Sequence, residues 1–214
     1  GKHVSIAKYY PEGTIISSGL SKWCGAGGWR LGTFSFPAKL HWLMDAMAAV
    51  ASETYTSVSA PIQYAAIQAF LCGSEIENYL SHVRKILALL GKETAAILKN
   101  GNISVNDPTG GFYLFLDFTP LSEKLVKRGI ADGSILCDRL LDECGVAILP
   151  GVDFNRPAEE LSARLSYVDF DGAKALSASY SIPLHEKFPA DFLFQYCGNV
   201  IEAAEKIVEW GNAE

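Results

Sequence analysis

The sequence predicts an α/β or α+β fold, and three observations support this prediction. Short β-branched and apolar runs alternate with longer segments whose apolar residues recur at helical spacing. The chain has 214 residues, of which 49% are hydrophobic and 20% charged, as in an ordinary globular protein. It contains no internal repeat and no low-complexity segment. A chain of this length can bury a substantial core in one or two domains.

The N-terminal part of the chain contains two predicted strands and two predicted helices. The strands, Thr14 to Ser18 and Leu31 to Phe36, flank the glycine-rich run Gly25 to Gly28. Pro37 begins the first helical pattern, and a second helix is predicted from Pro61 to Cys72. The apolar residues on one face of the first helix are Leu40, Leu43, Met44, Met47 and Val50.

A long helix is predicted from Ser74 toward Asn100, because apolar residues repeat there at helical spacing. Gly91 is expected to weaken or bend this helix, and the run Asn100 to Asn102 is expected to end it. The most natural domain boundary lies near Gly73 or along the helix that follows. The sequence therefore predicts two parts, residues 1–73 and residues 74–214.

The C-terminal part returns to alternating short strands and helices, separated by turn residues. The predicted elements, in order, are a turn at Pro108 to Gly111, a strand at Phe112 to Phe118, a helix at Ile135 to Cys144 ended by Gly145, strands at Val146 to Leu149 and Ala163 to Val168, and a last helix at Phe192 to Trp210. This order also fits a mixed α/β or α+β architecture.

Composition argues against several classes of partner and site. The net charge of −6 and the pI of about 5.3 argue against a nucleic-acid partner, which usually meets a basic surface. No apolar run is as long as a membrane span. The five cysteines are odd in number and none forms a Cys-x-x-Cys pair, so we expect reduced thiols and no zinc site. Four scattered histidines, His3, His41, His82 and His185, predict no metal site.

The N-terminus starts with Gly1 rather than Met and shows no signal-peptide pattern. We therefore expect the chain to come from something longer.

The segment Gly19 to Gly32 contains the candidate catalytic and ligand-binding residues. A small, an apolar and a small residue, Ser21, precede Lys22, and Arg30 follows eight residues later with an apolar and a small residue after it. A lysine that forms a Schiff base must reach an aldehyde and be neutral part of the time. An arginine offers a planar, permanently charged fork to a phosphate, and glycines let the backbone fold back between the two.

Taken singly, these residues have ordinary explanations. Lys22 would be a solvated surface residue, Arg30 a surface or ion-paired residue, and Gly25 to Gly28 a plain turn. The joint pattern after an apolar strand makes these explanations weaker.

This segment resembles the cofactor-lysine signature of the class I and II aminotransferases, which are fold-type I pyridoxal-phosphate enzymes. The resemblance implies that Lys22 carries pyridoxal 5'-phosphate as an aldimine and that Ser21 and Arg30 contribute to cofactor binding. The sequence departs from the family at Gly19, where many relatives have Ser or Thr.

Further segments along the chain resemble the same family. The segment Tyr55 to Gln63 is similar to one that lies near the active site of the neighbouring subunit, although Ser57 and Ser59 fit a loop and helix cap equally well. Pro108 to Tyr113 resembles the turn and first strand of the family's small domain, and Val146 to Phe154 resembles its next strand and loop.

Arg164, in the segment Ala163 to Tyr167, stands where the family's arginine holds the substrate α-carboxylate. A bidentate guanidinium orients a planar carboxylate, which is a sound physical reason for this role. The alternative is a strand arginine paired with Asp169 or Glu160.

The resemblance implies a fold and a function for the chain as a whole. The fold is expected to be the C-terminal part of an aspartate-aminotransferase-like α/β fold. Residues 1–73 would end the large cofactor-binding domain, and residues 74–214 would form the connecting helix and the small α+β domain. The expected protein is a cytoplasmic homodimer that moves an amino group between an L-amino acid and a 2-oxo acid.

Two alternatives to this function remain open from the residues alone. One is another pyridoxal-phosphate reaction on the same scaffold, such as a C–S lyase, a decarboxylase or a synthase. The other is a non-catalytic ligand-binding or regulatory domain.

Overall fold

The computed structural model describes residues 4–213, so His3 lies outside the described residues. Within them the chain forms a mixed α/β structure, as the sequence predicts. The helices are α1 (His41–Thr54), α2 (Ala60–Phe70), α3 (Ser74–Asn100), α4 (Ser122–Lys127), α5 (Gly133–Cys144), α6 (Gly172–Tyr180) and α7 (Phe192–Asn212). The strands are β1 (Ile16–Gly19), β2 (Gly32–Ser35), β3 (Ser104–Val105), β4 (Tyr113–Asp117), β5 (Leu149–Pro150) and β6 (Ser162–Ser166). Short 3₁₀ turns lie at Ile6–Lys8, Pro11–Gly13, Gly27–Trp29, Ala38–Leu40, Thr119–Leu121 and Gly151–Phe154.

The chain divides into two compact units, Gly1–Leu80 and Ser81–Glu214. Helix α3 contributes residues to both units, because the division falls within it. Each unit has its own sheet and its own group of buried residues.

The first unit has a two-stranded antiparallel sheet and a small core. Strands β1 and β2 pair from Ile16 opposite Ser35 to Gly19 opposite Gly32. The core of this unit consists of four buried residues, Leu20, Leu31, Ala66 and Ala69. No residue of α1 is buried, so the apolar face predicted from its spacing is exposed or only half-buried in this structure.

The second unit has a four-stranded antiparallel sheet in the order β3-β4-β6-β5. Burial alternates along β4: Leu114 and Leu116 are buried, whereas Phe115 is 39% exposed. Side chains of successive strand residues point to opposite faces, so one face of the sheet lies against the core. The other face carries Phe115. Because the sequence of this strand is almost continuously apolar, it did not show which side chains face the core.

Helix α3 continues through Gly91 without interruption, at the position where the sequence suggests a weak point or bend. A Cβ added to Gly91 would lie 2.7 Å from the hydroxyl oxygen of Tyr167. Tyr167 is 1% exposed and donates a hydrogen bond of 3.1 Å to the carbonyl oxygen of Gly111. Gly91 is therefore needed for close packing against a buried tyrosine, which local sequence does not reveal.

Capping residues begin and end several helices of the second unit. Asp132 and Asp171 accept hydrogen bonds from backbone N–H groups at the starts of α5 and α6, at 2.8 Å and 3.1 Å. Gly145 ends α5 with a left-handed φ of 68°. The sequence analysis predicted Gly145 as a stop but gave no bounds for α6 and missed the short helix α4.

The strand predicted at Val146 to Leu149 is displaced in the structure. Only Leu149–Pro150 pair with β6, opposite Arg164 and Ala163. Val146 and Ile148 are buried but do not pair with β6, so their apolar character reflects burial and not strand pairing. The last helix also differs in detail, because Cys197 interrupts α7 with a non-helical φ of −130°.

Three structural findings concern membranes, metals and disulfides. No helix within residues 4–213 combines the length and apolar character needed to cross a bilayer. The same residues contain no group of three or more His, Cys, Asp or Glu side chains placed to hold a metal ion. All five cysteines are free thiols.

Candidate functional site

Ser21, Lys22 and Arg30 all lie in one loop, residues 20–31, which connects β1 to β2. The two strands end opposite each other at Gly19 and Gly32, so the loop leaves and re-enters the same end of the hairpin. The backbone N–H of Leu20 donates to the carbonyl of Leu31 at 3.2 Å and closes the loop. This hairpin brings a lysine and an arginine that are eight positions apart onto one loop.

A tight turn follows Lys22 and depends on a glycine. The N–H of Gly25 donates to the carbonyl of Lys22 at 3.3 Å, and Gly25 has a left-handed φ of 66°. The hydroxyl of Tyr79 donates to the carbonyl oxygen of Cys24 at 3.0 Å. A Cβ on Gly25 would lie 2.8 Å from that same hydroxyl oxygen, so both φ and space favour glycine here.

Arg30 has a strained backbone and an exposed side chain. Its φ of 54° and ψ of 40° are left-handed, which costs a non-glycine residue about 1–2 kcal/mol. Its Nη1 donates to the carbonyl oxygen of Gly27 at 3.0 Å, and this bond holds the guanidinium close to its own turn. Strained residues of this kind are concentrated at ligand sites, so the observation favours a binding role.

Gly19, the departure from the family pattern, has a structural explanation. A Cβ added to Gly19 would lie 2.9 Å from the carbonyl oxygen of Leu31, which already accepts the Leu20 bond. A serine or threonine at this position would therefore have to move the closing strand. In this chain the hydroxyl nearest Lys22 in sequence belongs to Ser21, which is half-buried.

The loop rests on α2 through apolar contacts. The rings of Trp23 and Phe70 lie 5.8 Å apart between centroids, in a tilted arrangement. Leu20 is completely buried, and Cys24 packs against the same small core. Burial, and then the neighbouring charge of Cys72, raise the pKa of the Cys24 thiol. These contacts fix the base of the loop, while the Lys22 side chain is exposed.

The segment Tyr55 to Gln63 connects α1 to α2 within the same unit. Its backbone is held by a hydrogen bond of 2.7 Å from the Gln63 side chain to the carbonyl of Val58, and Thr56 has a left-handed φ of 69°. Ser59 is the N-cap residue of α2, although its side chain makes no capping hydrogen bond. Part of this segment lines a cavity of about 690 Å³ together with residues of β2, α1 and α2.

Arg164 lies in the second unit, in the middle of β6. It is paired with Phe115 of β4 on one side and Leu149 of β5 on the other. Its guanidinium carbon lies over the rings of Tyr113 and Phe154, 4.4 Å from each centroid. Its Nε is buried and has no hydrogen-bond partner among the described residues.

The ion pair with Glu160 that would explain Arg164 differently is not formed. Glu160 instead receives two hydrogen bonds of 2.8 Å from Nε and Nη2 of Arg156. Asp169, the other proposed partner, forms no ion pair with Arg164 among those found within residues 4–213. A half-buried arginine held by aromatic rings can still bind a planar anion through its N–H groups.

The structure thus brings Ser21, Lys22 and Arg30 onto one loop and places Arg164 in the other unit. Sequence reasoning assigned no role to Tyr79, Tyr113 or Phe154. Tyr113 lies two residues before Phe115 on β4, and only the register of β4 with β6 places it near Arg164. No local signal in the sequence could have revealed this contact.

The family model for aminotransferase class I and II matches residues 2–174 of this chain. Among curated proteins, the aspartate/prephenate aminotransferase of Thermus thermophilus is 31% identical over 172 residues, covering 78% of this chain and 40% of that protein. The aspartate aminotransferase of Bacillus subtilis is 33% identical over 170 residues, with the same coverage of both chains. The chain therefore spans about 40% of the length of these relatives.

Solved structures give the same picture of the fold. The aromatic aminotransferase of Pyrococcus horikoshii superposes with a TM-score of 0.71 at 24% identity, covering 98% of this chain and 46% of that chain. The aspartate aminotransferase of Thermus thermophilus with maleate gives 0.70 at 24% identity, covering 98% and 44%. The fold is thus the C-terminal part of an aspartate-aminotransferase-like fold. The sequence matches and the shared fold together show that this chain belongs to the class I and II aminotransferase family.

Proposed function

We propose that the protein containing this chain moves an amino group between an L-amino acid and a 2-oxo acid, with pyridoxal phosphate as its cofactor. The observation that carries the proposal is the loop at residues 20–31, which contains both Lys22 and Arg30 in a member of this family. The curated relatives named above are aminotransferases, which favours transamination over a lyase, decarboxylase or regulatory role.

The chemistry of the loop fits the cofactor. Pyridoxal phosphate carries an aldehyde, which requires an amine, and a phosphate, which requires a cation and hydrogen-bond donors. Lys22 supplies the amine, Arg30 the guanidinium and Ser21 a hydroxyl. When bound, the cofactor withdraws electrons from the Cα of an attached amino acid.

Each residue then has a defined task. Lys22 would hold the cofactor aldehyde through Nζ, and the same nitrogen would accept and return a proton during the reaction. Arg30 and Ser21 would bind the phosphate of the cofactor. The hydrogen bond from Arg30 to Gly27 supports this task because it limits the movement of the guanidinium.

Arg164 binds the α-carboxylate that amino acids and 2-oxo acids share. The support is its buried, unpartnered Nε and the engagement of Glu160 by Arg156. A buried polar group without a partner is costly, and a carboxylate ligand would remove that cost. The Thermus relative was solved with maleate, a dicarboxylate, which agrees with carboxylate binding in the family.

The proposal extends to domain assignment and assembly. Residues 1–73 form the end of the large cofactor-binding domain, and residues 74–214 form the connecting helix and the small domain. The protein is a homodimer in the cytoplasm, and both of these statements rest on the family resemblance. Helices α1 and α2 expose the aromatic side chains of Trp42 and Tyr64. Such exposed apolar groups fit the proposal that another part of the assembled protein covers them.

The assignment of Lys22 is tested by trapping the cofactor. The 214-residue chain is incubated with pyridoxal phosphate, reduced with borohydride and digested, and the pyridoxyl mass is located by mass spectrometry. We expect the label on Lys22, its loss in Lys22→Ala and its retention in Lys39→Ala, a control that removes another exposed lysine of the same unit. Equal labelling of many lysines, or unchanged labelling in Lys22→Ala, would contradict the proposal.

A further inference from the structure

The guanidinium of Arg164 is held by two aromatic rings and not by an acid. Its central carbon lies 4.4 Å from the ring centroids of both Tyr113 and Phe154. We call these two rings the aromatic clamp. A guanidinium over a ring face is attracted by the quadrupole of the ring, and this attraction does not require a hydrogen-bond acceptor.

The sheet and the following turn fix the positions of both rings. Tyr113 lies on β4, two residues before Phe115, which is the cross-strand partner of Arg164. Residues two positions apart on a strand share a face, so Tyr113 is a diagonal neighbour of Arg164. Phe154 ends the 3₁₀ turn Gly151–Phe154 that follows β5, and its ring contacts Phe115 edge-to-face at 6.0 Å.

Close packing also fixes the turn that carries Phe154. Gly151 is buried, and a Cβ added there would lie 2.1 Å from the hydroxyl oxygen of Ser162, within β6. Asn155 ends the turn with a left-handed φ of 61°. The ring of Phe154 therefore stands at a defined place beside β6, and it does not depend on a mobile loop end.

Among residues 4–213, no acidic side chain forms an ion pair with Arg164. Its Nε is buried and lacks a hydrogen-bond partner within residues 4–213, and the nearby acid Glu160 is occupied by Arg156. An ion pair within the protein would compete with a ligand for these N–H groups, whereas ring faces hold the charge without that competition. The same rings limit the rotation of a long, flexible side chain, which lowers the entropy cost of binding.

We propose that Tyr113 and Phe154 are positioning residues, which hold the Arg164 guanidinium in place for a carboxylate ligand. The proposal deepens the role of Arg164 and rests on the proposed function for the identity of that ligand. The chemical class is a planar carboxylate, the group common to amino acids and 2-oxo acids.

The first test measures the order of the side chain without any ligand. In the 214-residue chain, the ¹⁵N–¹H resonance of Arg164 Nε is assigned by its loss in Arg164→Gln, and its heteronuclear NOE is measured. We expect a rigid value in the unsubstituted chain and a clear drop in Phe154→Leu and Tyr113→Leu. Phe194→Leu is the control, because it removes an 80% exposed ring on α7 that is not part of the clamp. An unchanged NOE in both clamp variants would overturn the proposal.

The second test measures binding of acetate, with acetamide as a neutral probe of the same size. We expect acetate to shift the Arg164 Nε resonance saturably and acetamide not to shift it. Loss of either ring is expected to raise the dissociation constant for acetate about threefold to tenfold, in line with the energy of one cation–π contact. Phe154→Tyr and Tyr113→Phe keep a ring face and are expected to restore binding.

The outcomes separate the clamp from the proposed function. Equal acetate affinity in the unsubstituted chain and both leucine variants overturns the positioning role. Failure of acetate to bind the unsubstituted chain overturns the carboxylate role of Arg164, and with it the proposal. Absence of cofactor label on Lys22, with acetate binding intact, contradicts the proposed function alone. If Phe154→Leu does not fold by circular dichroism, Tyr113→Leu provides the same test on the other ring.

Discussion

The two units of this chain differ in how they hold their structure. The second unit has a continuous apolar core that links α3, the sheet, α5 and α7, whereas the core cluster of the first consists of four buried residues and its helix α1 has none. Yet the first unit carries Lys22 and Arg30. Its loop is held by backbone hydrogen bonds, close glycines and the Tyr79 contact, and not by an extensive core. A local network of hydrogen bonds and close contacts thus holds this loop in a unit that buries little apolar surface.

The largest expected effect contrasts one leucine from each core. Leu140 and Leu20 are both 0% exposed. We expect Leu140→Ala to lower the free energy of unfolding by about 2–5 kcal/mol, and Leu20→Ala to fall at or below the lower end of this range, because a small cluster can collapse around the lost side chain. Urea denaturation, with hydrogen exchange to assign each transition to a unit, provides the measurement.

The control for this contrast is Leu141→Ala, on the same helix as Leu140 but 50% exposed. Its effect is expected to stay within about 0.5 kcal/mol. If Leu20→Ala destabilises its unit as much as Leu140→Ala destabilises the other, the proposed difference between the two cores is wrong.

A smaller effect is expected from two glycines that probe packing in the second unit. Gly91→Ala places a methyl group 2.7 Å from the Tyr167 hydroxyl oxygen. We expect this variant to lower the free energy of unfolding by about 1–3 kcal/mol. Gly198→Ala, in α7, meets nothing within 4 Å and should be neutral or stabilise by up to about 1 kcal/mol. Chemical denaturation of both variants measures the difference. If Gly91→Ala leaves the free energy of unfolding unchanged, the core around Tyr167 rearranges to accommodate the methyl group.

A further expected effect is confined to alkaline pH and concerns the cysteines. Burial raises the pKa of Cys137 to about 12 and that of Cys197 to about 11. Above pH 9 the unfolded thiols ionise while the folded thiols keep their protons, so the free energy of unfolding should fall as the pH rises from 9 toward 11. The slope should be shallower in Cys137→Ala, which removes one of the two groups.

Thiol labelling extends this comparison to the first unit. Exposed Cys72 should react with iodoacetamide before Cys137 and Cys197, which are buried. Mass spectrometry of partly labelled chains gives the order of reaction. Equal labelling rates for Cys72 and Cys137, or an unchanged pH slope in Cys137→Ala, would contradict the burial of these thiols.

Local sequence signals predicted much of the secondary structure, and the errors have physical causes. The long helix α3 and its end at Asn100 follow from repeated apolar spacing and the Asn-Gly-Asn run. No bounds were predicted for helix α6 because its nine residues are mostly small and weakly patterned. The predicted strand at Val146 was displaced because burial and strand pairing give the same apolar signal.

The order of residues in the sequence determined the candidate loop, because Lys22, Arg30 and the glycines between them are close along the chain. Tertiary structure alone decided what surrounds Arg164. The strand register places Tyr113 beside Arg164, and the turn at Gly151 places Phe154 there. Glu160, an alternative partner for Arg164, is hydrogen-bonded to Arg156 instead. These contacts join residues from separate elements, and a spacing pattern within one segment carries no information about which face of another strand it will meet.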